Sequence, residues 1–150
     1  MKNDAKWYYE MQMLGYNYRM TDIQAALGIS QLKKLTWFVK RRREIANIYA
    51  DIFENKGLFS TLSEVNGSYS SYHLYPILLN ENCIRNKQKI FDKMRASGLG
   101  VQVHYIPIYH HPYYKKYNNN PEDFPVTENF YKKEISIPIY PSMTDEQVKY

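Results

Sequence analysis

The sequence predicts an α/β (α+β) domain in which a short three-stranded sheet is covered by helices and a long helix comes first. Helical and strand-like patterns alternate along the 150 residues, as in domains built from layers of helix and sheet. The composition, 44% hydrophobic and 16% aromatic, is sufficient for one packed core. Thr21 and Gln24 have the spacing of a capping box, which marks the start of a helix.

The long helix is predicted over about residues 22–54, where apolar side chains recur at helical spacing. Asn55, Lys56 and Gly57 follow it as a C-terminal stop, since glycine readily adopts the conformation that ends a helix. The predicted helix is longer than most helices of globular proteins. We therefore expect it to bend or to run beside a partner.

Five further elements follow from the apolar patterns. Strands are predicted over 72–79, 101–105 and 135–137, and helices over about 84–97 and 122–133. Pro76 implies that the first of these strands lies at a sheet edge or contains a bulge, because proline cannot donate to a ladder. Residues 60–71 are rich in Ser, Asn and Gly and are predicted to form a loop. Thr144 and Gln147 form a second capping box.

Composition and motif content argue against several classes of function. No apolar run approaches the roughly 20 residues of a membrane span, and residues 1–9 lack the apolar centre of a signal peptide. Cys83 is the single cysteine, so no internal disulfide can form and a cytoplasmic location fits. The four histidines lack zinc-type spacing, and we predict no metal site. No glycine-rich phosphate loop and no nucleophile elbow occurs.

The one dense basic run is Lys40-Arg41-Arg42-Arg43, within the long predicted helix of a chain whose net charge is +5. Apolar residues interleave with the run, which favours a solvated helix face whose long side chains lie along apolar neighbours. The alternative is a nucleic-acid-binding surface. No zinc-finger spacing, aromatic RNA-binding motif or helix-turn-helix signature accompanies the run, so we predict no nucleic-acid partner.

Two pairs of polar residues are candidates for a binding site. Asn17 and Arg19 stand just ahead of the predicted helix start, where backbone N–H groups and the helix dipole favour an anion. They could contact a phosphate, or they could make only turn and cap hydrogen bonds. His104, followed by Tyr105, is either a hydrogen-bonded strand histidine or a substrate ligand. The residues alone leave these alternatives open.

Five segments, taken in order, carry a family resemblance. They are residues 7–28, with Gly-Tyr-Asn-Tyr-Arg-Met-Thr-Asp from position 15, then 31–46, 71–76, 100–114, with Val-His-Tyr-Ile-Pro from position 103, and 135–147. Together they span nearly the whole chain in order, from residue 7 to residue 147, and their joint agreement is more specific than any single motif. On these segments the chain resembles the DegT-type sugar aminotransferases, which are pyridoxal-phosphate (PLP) enzymes of the aspartate-aminotransferase fold.

The resemblance implies the small C-terminal domain of a PLP-transferase fold, the cofactor pyridoxal 5'-phosphate, and a homodimer with active sites at the subunit interface. The most similar subgroup serves pseudaminic-acid-type biosynthesis: it aminates C4 of a UDP-linked 4-keto-6-deoxy-N-acetylhexosamine, with glutamate as amino donor. By resemblance, Asn17 contacts the PLP phosphate of the neighbouring subunit, and Arg19 lies beside the phosphate or the nucleotide sugar. His104 and Tyr105 face the substrate.

The resemblance also divides the chain. Residues 1–57 are expected to be the end of a large domain with the long connecting helix, and residues 58–150 a small C-terminal domain, with truncation at both ends. The family's cofactor-binding lysine, and the aspartate that pairs with the pyridine nitrogen, lie upstream of the Gly-Tyr-Asn-Tyr-Arg motif, so no catalytic residue is assigned here. We expect this segment alone to be inactive, and the full-length protein to act in surface polysaccharide or glycan biosynthesis. A non-catalytic ligand-binding or regulatory domain of the same fold is the alternative.

Overall fold

The computed structural model describes residues 6–54, 57–117 and 120–150. Contacts divide the chain into two compact units, one ending at Lys34 and the other running from Leu35 to Tyr150. Most of the predicted helix stop, Asn55 and Lys56, lies outside the described residues. The domain boundary expected after residue 57 concerns the whole protein and stays a prediction.

The first unit consists of an irregular lead-in and helix α1, Asp22–Leu32. The predicted capping box is confirmed: Thr21 Oγ1 accepts from the backbone N–H of Gln24 at 3.3 Å, and Gln24 Oε1 accepts from the N–H of Thr21 at 2.9 Å. Two backbone donors are satisfied in this way, which explains why the helix begins here. No residue of α1 is buried.

The helix predicted over residues 22–54 is two helices, α1 and α2, Leu35–Phe53. Lys33 and Lys34 form a turn between them. The N–H of Lys34 donates to the carbonyl of Gln31 at 3.0 Å, three residues back, so α1 ends in a tightened turn. The prediction of one helix over these residues was therefore wrong. The position of the break could not be predicted, since the turn contains neither proline nor glycine, the residues that usually end a helix.

The predicted three-stranded sheet is confirmed, and its strands run antiparallel in the order β1-β2-β3. Strand β1 is Phe59–Thr61, β2 is Tyr75–Leu79 and β3 is Glu134–Ile137. Two of these strands match predictions. The last two residues of β1 fall in the segment that was predicted as a loop over residues 60–71. The prediction was wrong there because the polar composition of the segment concealed a three-residue strand.

The strand predicted over residues 101–105 is not formed. Only Gln102 pairs with the sheet: its N–H donates to Ser136 at 3.1 Å, and its carbonyl accepts from Ser136 at 2.8 Å. Two residues further on, the N–H of His104 donates to the side chain of Glu134 rather than to a strand carbonyl. A side-chain acceptor therefore ends the pairing after one bridge.

Pro76 lies in the central strand, so the expectation of an edge strand was wrong. Pro76 is opposite Ser136, whose N–H and carbonyl are used by Gln102 on the other side. This makes the pair a non-hydrogen-bonded one, in which a missing N–H costs nothing. On its other side, β1 ends at Thr61 opposite Ile77, one residue short of the proline. Proline is thus tolerated here because neither neighbouring strand uses the backbone nitrogen of residue 76 in a ladder hydrogen bond.

The helices between β2 and β3 are short. The segment predicted as one helix over 84–97 forms α3, Glu81–Ile84, and α4, Lys87–Ala96. The helix predicted near 122–133 is confirmed as α5, Pro125–Lys133. Three 3-10 turns fill the intervening aromatic and proline-rich chain: Ile108–His110, Pro112–Tyr117 and Pro121–Asp123.

Helix α6, Asp145–Lys149, begins at the second predicted capping box. Thr144 Oγ1 accepts from the N–H of Gln147 at 3.3 Å, and Gln147 Oε1 accepts from the N–H of Thr144 at 3.0 Å. This helix is short, and Val148 fixes it by packing into the core.

The core of the second unit joins α2 to one face of the sheet. Alternate residues of β2 are buried, as expected for a strand with one face against a core. The hydroxyl of Tyr49 donates to the carbonyl of Pro138 at 2.8 Å, and burial raises the pKa of Tyr49 to about 12. The buried apolar residues are Ile45, Ala46, Tyr49, Tyr75, Ile77, Leu79, Val101, Ile135, Ile139, Met143 and Val148.

Candidate functional site

Asn17 and Arg19 lie on the surface of the first unit, immediately before the capped start of α1. Arg19 Nε donates to Asn17 Oδ1 at 3.3 Å, which holds the two side chains together. With Tyr18, Met20 and Gln24 they line a shallow depression of about 580 Å³. An amide and a guanidinium side by side provide N–H donors suited to an anionic oxygen.

The hydrogen bonds around α1 show whether Asn17 and Arg19 cap this helix. Thr21 and Gln24 cap the helix, as described above, and neither Asn17 nor Arg19 takes part. Within the described chain, the one side-chain hydrogen bond of the pair joins its own two members. The amide and guanidinium groups are therefore not consumed by the local backbone.

Aromatic residues surround this pair and are open to solvent. Tyr16 and Tyr18 stack with ring centroids 5.2 Å apart, although their exposures are 85% and 87%. Trp7, Leu14 and the other large apolar side chains of the lead-in are also mostly exposed. A segment with many exposed large apolar side chains is typical of an interaction surface.

His104 and Tyr105 lie in the second unit, on the segment that leaves the sheet after Gln102. Their rings meet edge to face, with centroids 4.7 Å apart and planes at 82°. Tyr105 is 70% exposed, whereas His104 is partly buried. His104 Nδ1 is buried and is the one such side-chain atom without a hydrogen-bond partner among the described residues.

The structure brings Asn17 next to Arg19, and His104 next to Tyr105. The two pairs belong to different compact units.

Glu134 supports the His104 segment from the core, and sequence reasoning missed it. Its side chain is fully buried, and Oε2 accepts from the backbone N–H of His104 at 3.0 Å. Its other oxygen accepts from the hydroxyl of Ser136. Burial lowers the pKa of Lys87, and the charge of Glu134 partly offsets this effect. The available signal was an acidic residue at the start of an apolar strand segment.

The basic run on α2 has a structural role in the second unit. Arg41 Nη2 donates to the carbonyl of Met143 at 2.9 Å and to Asp145 at 2.7 Å. Arg42 Nη1 donates to the carbonyls of Tyr72 and His73, each at 3.0 Å. The side chain of Arg41 is only 18% exposed. The interpretation as a solvated helix face was therefore wrong for the arginines, although Lys40 is exposed.

Arg43 makes the most extensive of these contacts. Its two terminal nitrogens bind the two oxygens of Glu64, both at 2.8 Å, and one also donates to the carbonyl of Ser70 at 2.7 Å. The guanidinium lies over the ring of Tyr69, 3.9 Å from its centroid. The bond to Arg43 lowers the pKa of Glu64 to about 2. With these donors engaged by the protein, the arginines are poorly suited to binding phosphates.

A second polar cluster, also missed by sequence reasoning, joins the 3-10 turn at residues 108–110 to α5. Glu128 Oε1 accepts from the hydroxyl of Tyr109 at 2.9 Å and contacts Nε2 of His110 at 2.6 Å. The bond from Tyr109, followed by the contact with His110, lowers the pKa of Glu128. The cluster fixes the aromatic chain after Pro107 against a helix.

Within residues 6–54, 57–117 and 120–150, no three His, Cys, Asp or Glu side chains are grouped so that they could hold a metal ion. Over the same ranges, no helix is both long and apolar enough to cross a membrane.

The described fold matches part of the structures of sugar aminotransferases. It superimposes on Helicobacter pylori PseC, an aminotransferase involved in the biosynthesis of pseudoaminic acid, with a TM-score of 0.82 and 35% identity over 98% of this chain and 39% of that one. The PLP form of Spr1654 from Streptococcus pneumoniae gives a TM-score of 0.82 at 28% identity, over 96% of this chain and 37% of the other. Homologous structures therefore bind PLP.

Sequence comparison leads to the same class. The chain is 43% identical over 144 residues to the UDP-4-amino-4,6-dideoxy-N-acetyl-beta-L-altrosamine transaminase of Campylobacter jejuni, covering 96% of this chain and 38% of the relative. The model of the DegT/DnrJ/EryC1/StrS aminotransferase family matches residues 1–150. The chain belongs to this family. It spans less than two-fifths of the length of the curated relatives that it matches.

Proposed function

We propose that the whole protein of which this chain forms part is a PLP-dependent aminotransferase. It moves an amino group from glutamate to a nucleotide-linked 4-keto-6-deoxy sugar, in the biosynthesis of a surface polysaccharide or glycan. The observation that carries this proposal is the similarity to the Campylobacter transaminase along 96% of the chain. The proposed location is the cytoplasm, which is compatible with the single, unpaired Cys83.

The residues of the first unit fit a phosphate group. Asn17 Oδ1 accepts from Arg19, which leaves the amide N–H donors of Asn17 facing away from that bond. Both side chains are exposed and are not used to cap α1. We assign Asn17 to the phosphate of PLP and Arg19 to the phosphate or the charged nucleotide. When bound, PLP supplies the electron sink and the amino-group carrier of the reaction.

The residues of the second unit have a different role in the proposal. The exposed ring of Tyr105 and the edge-to-face ring of His104 present a polar and aromatic surface suited to a sugar. We assign this pair to orienting the sugar, and no proton transfer is assigned to it. Orientation can contribute strongly to rate because it brings the reacting groups together before the chemical step.

A homodimer completes the proposed site. The exposed aromatic and apolar side chains around Asn17 and Arg19 are a surface that a second subunit would cover. In this arrangement the pair serves the cofactor of the neighbouring subunit. The catalytic lysine belongs to the rest of the protein, so this 150-residue chain by itself is expected to transfer no amino group.

The first test uses the full-length protein with Asn17→Ala. We expect the dissociation constant for PLP to rise about tenfold, because a hydrogen bond to a charged oxygen is lost. Equilibrium dialysis against PLP measures it. Asn129→Ala, which removes an exposed amide from α5, is the matched control and should bind PLP normally.

The same samples distinguish the alternatives. Formation of an amino sugar from glutamate and the UDP-linked 4-keto-6-deoxy sugar supports the enzyme. A wild-type protein that binds the nucleotide sugar but transfers no amino group would instead be a ligand-binding or regulatory domain of the same fold. Unchanged PLP binding by Asn17→Ala would refute the role assigned to that residue.

A further inference from the structure

Glu134 is an acidic side chain at a position where the core would accept an apolar one. It is fully buried at the start of β3, next to the fully buried Ile135. Burying a carboxylate is strongly unfavourable unless hydrogen bonds or charges compensate for the lost water. The stability of a buried carboxylate therefore depends on the groups that its oxygens contact.

One oxygen of Glu134 holds the chain segment that carries His104 and Tyr105, and the other is held within β3. Oε2 accepts from the N–H of His104 at 3.0 Å, and Oε1 accepts from the hydroxyl of Ser136. Ser136 in turn exchanges both backbone hydrogen bonds with Gln102. The segment is thus fixed at two points: the backbone of Ser136 holds Gln102, and the side chain of Glu134 holds His104.

Among the described residues, no polar group anchors the ring of His104 at Nδ1. Its Nδ1 is buried without a hydrogen-bond partner among the described residues, and its ring contact with Tyr105 is an edge-to-face aromatic one. A histidine ring is often fixed by a hydrogen bond to one of its nitrogens. Here the backbone position of His104 sets the ring position, and Glu134 sets the backbone position.

We propose that Glu134 is a positioning residue for the sugar substrate, which acts by holding the backbone of His104 so that His104 and Tyr105 face the sugar. This inference rests on the proposed function for the identity of the ligand, but not for the link between Glu134 and His104. Glu134 itself touches neither substrate nor cofactor.

The test compares Glu134→Leu with Glu134→Gln in the full-length protein. Leucine removes both acceptors, whereas glutamine can still accept from the N–H of His104 and donate to the hydroxyl of Ser136. In Glu134→Leu, we expect amide exchange at His104 to accelerate about tenfold or more, since a bond to a charged acceptor is lost. The KM for the UDP-linked 4-keto-6-deoxy sugar should rise about tenfold as well, with the glutamate half-reaction unchanged. Glu134→Gln should restore both values to within about twofold of the wild type.

Glu64→Leu is the matched control. Glu64 also accepts a backbone N–H, that of Ser70, but in the loop held by Arg43. This variant should unfold more easily without altering the KM for the sugar or the exchange at His104. If it changed the KM as much as Glu134→Leu, general destabilisation would explain the result and the proposal would be overturned.

The hydrogen-exchange measurement separates this inference from the proposed function. If the wild-type protein aminates no nucleotide sugar, the proposed function fails, and the link from Glu134 to His104 is still decided by exchange. Unchanged exchange at His104 in Glu134→Leu would overturn the positioning role whatever the activity. Should that variant not fold, Glu134→Asp replaces it, because the carboxylate is kept but drawn back by one methylene.

Discussion

Arg41, Arg42 and Arg43 are consecutive residues that fasten three different parts of the second unit to α2. A guanidinium presents several donors in a fixed plane, so one side chain can serve two acceptors at once. Arg43 does so with Glu64 and the carbonyl of Ser70. Lysine, with a compact ammonium group, would not reproduce this bidentate geometry.

The pair of Arg43 and Glu64 predicts an acid-sensitive contribution to stability. The pKa of Glu64 is lowered from 4.5 to about 2, chiefly by the bond to Arg43, so the folded state favours the charged form. The stabilisation is therefore complete above pH 4.5 and is lost as the pH falls towards 2. Urea unfolding of the wild type between these pH values should show this loss.

Glu64→Gln should remove the part of this loss that comes from Glu64. The variant is less stable than the wild type at pH 6, and the difference between the two shrinks as the pH falls towards 2. Asp51→Asn removes an exposed carboxylate from the same helix as Arg43 and is the control. A difference between wild type and Glu64→Gln that stays constant with pH would contradict the assignment.

The sequence points to some residues of the candidate site and not to others. Asn17 and Arg19 could be selected because they directly precede the capping box of Thr21, which is a signal contained in neighbouring residues. The contact of Glu134 could not be predicted, because its hydrogen-bond partner, His104, lies thirty residues earlier in the chain. The same holds for the partners of Arg43, which no spacing within α2 reveals. Whether the predicted site residues act as assigned stays a prediction.

At the scale of elements, the features encoded within a few residues were the most predictable. Both capping boxes form as expected, since each depends on one threonine and one glutamine three positions apart. The strands were harder to predict. Strand β1 exists because β2 offers it a partner, and the segment near Gln102 loses strand pairing because Glu134 takes the N–H of His104. These outcomes depend on contacts that the local pattern does not contain.

The cap of α6 gives a prediction at this scale. Thr144→Ala removes the acceptor for the N–H of Gln147 and should lower the free energy of unfolding by about 1 kcal/mol. Because Val148 of the same helix packs into the core, the loss should be visible in the global urea transition. Thr127→Ala, at an exposed position of α5, is the control. Equal stability of the two variants would show that the capping bond contributes nothing measurable.

At the scale of the whole molecule, the two units differ in how they are stabilised. The second has a core of buried residues from α2, the sheet and α6. In the described part of the first, no side chain is buried and most large apolar groups are open. A segment without a core of its own depends on surfaces outside it for stability.

Limited proteolysis of this 150-residue chain tests the difference. Cleavage should begin within residues 6–34, at Tyr, Trp, Leu or Lys, whereas a fragment from about Leu35 onward resists digestion for longer. Mass spectrometry of the products identifies the sites. We expect the same sites to be protected in the full-length protein, where the proposed homodimer would cover the apolar surface. First cleavage within α2 or β2 would contradict this view.

The bridge between Gln102 and Ser136 also bears on aggregation. An uncovered strand edge, with its row of free N–H and carbonyl groups, is a template on which other molecules can add strands. At β3 the outward-facing groups of Ser136 are already occupied, and the chain turns away at His104 before a fourth strand can form. At the opposite edge, β1 has only three residues, too few to hold an added strand firmly. This small sheet is therefore closed to edge-to-edge growth without the closure of a barrel.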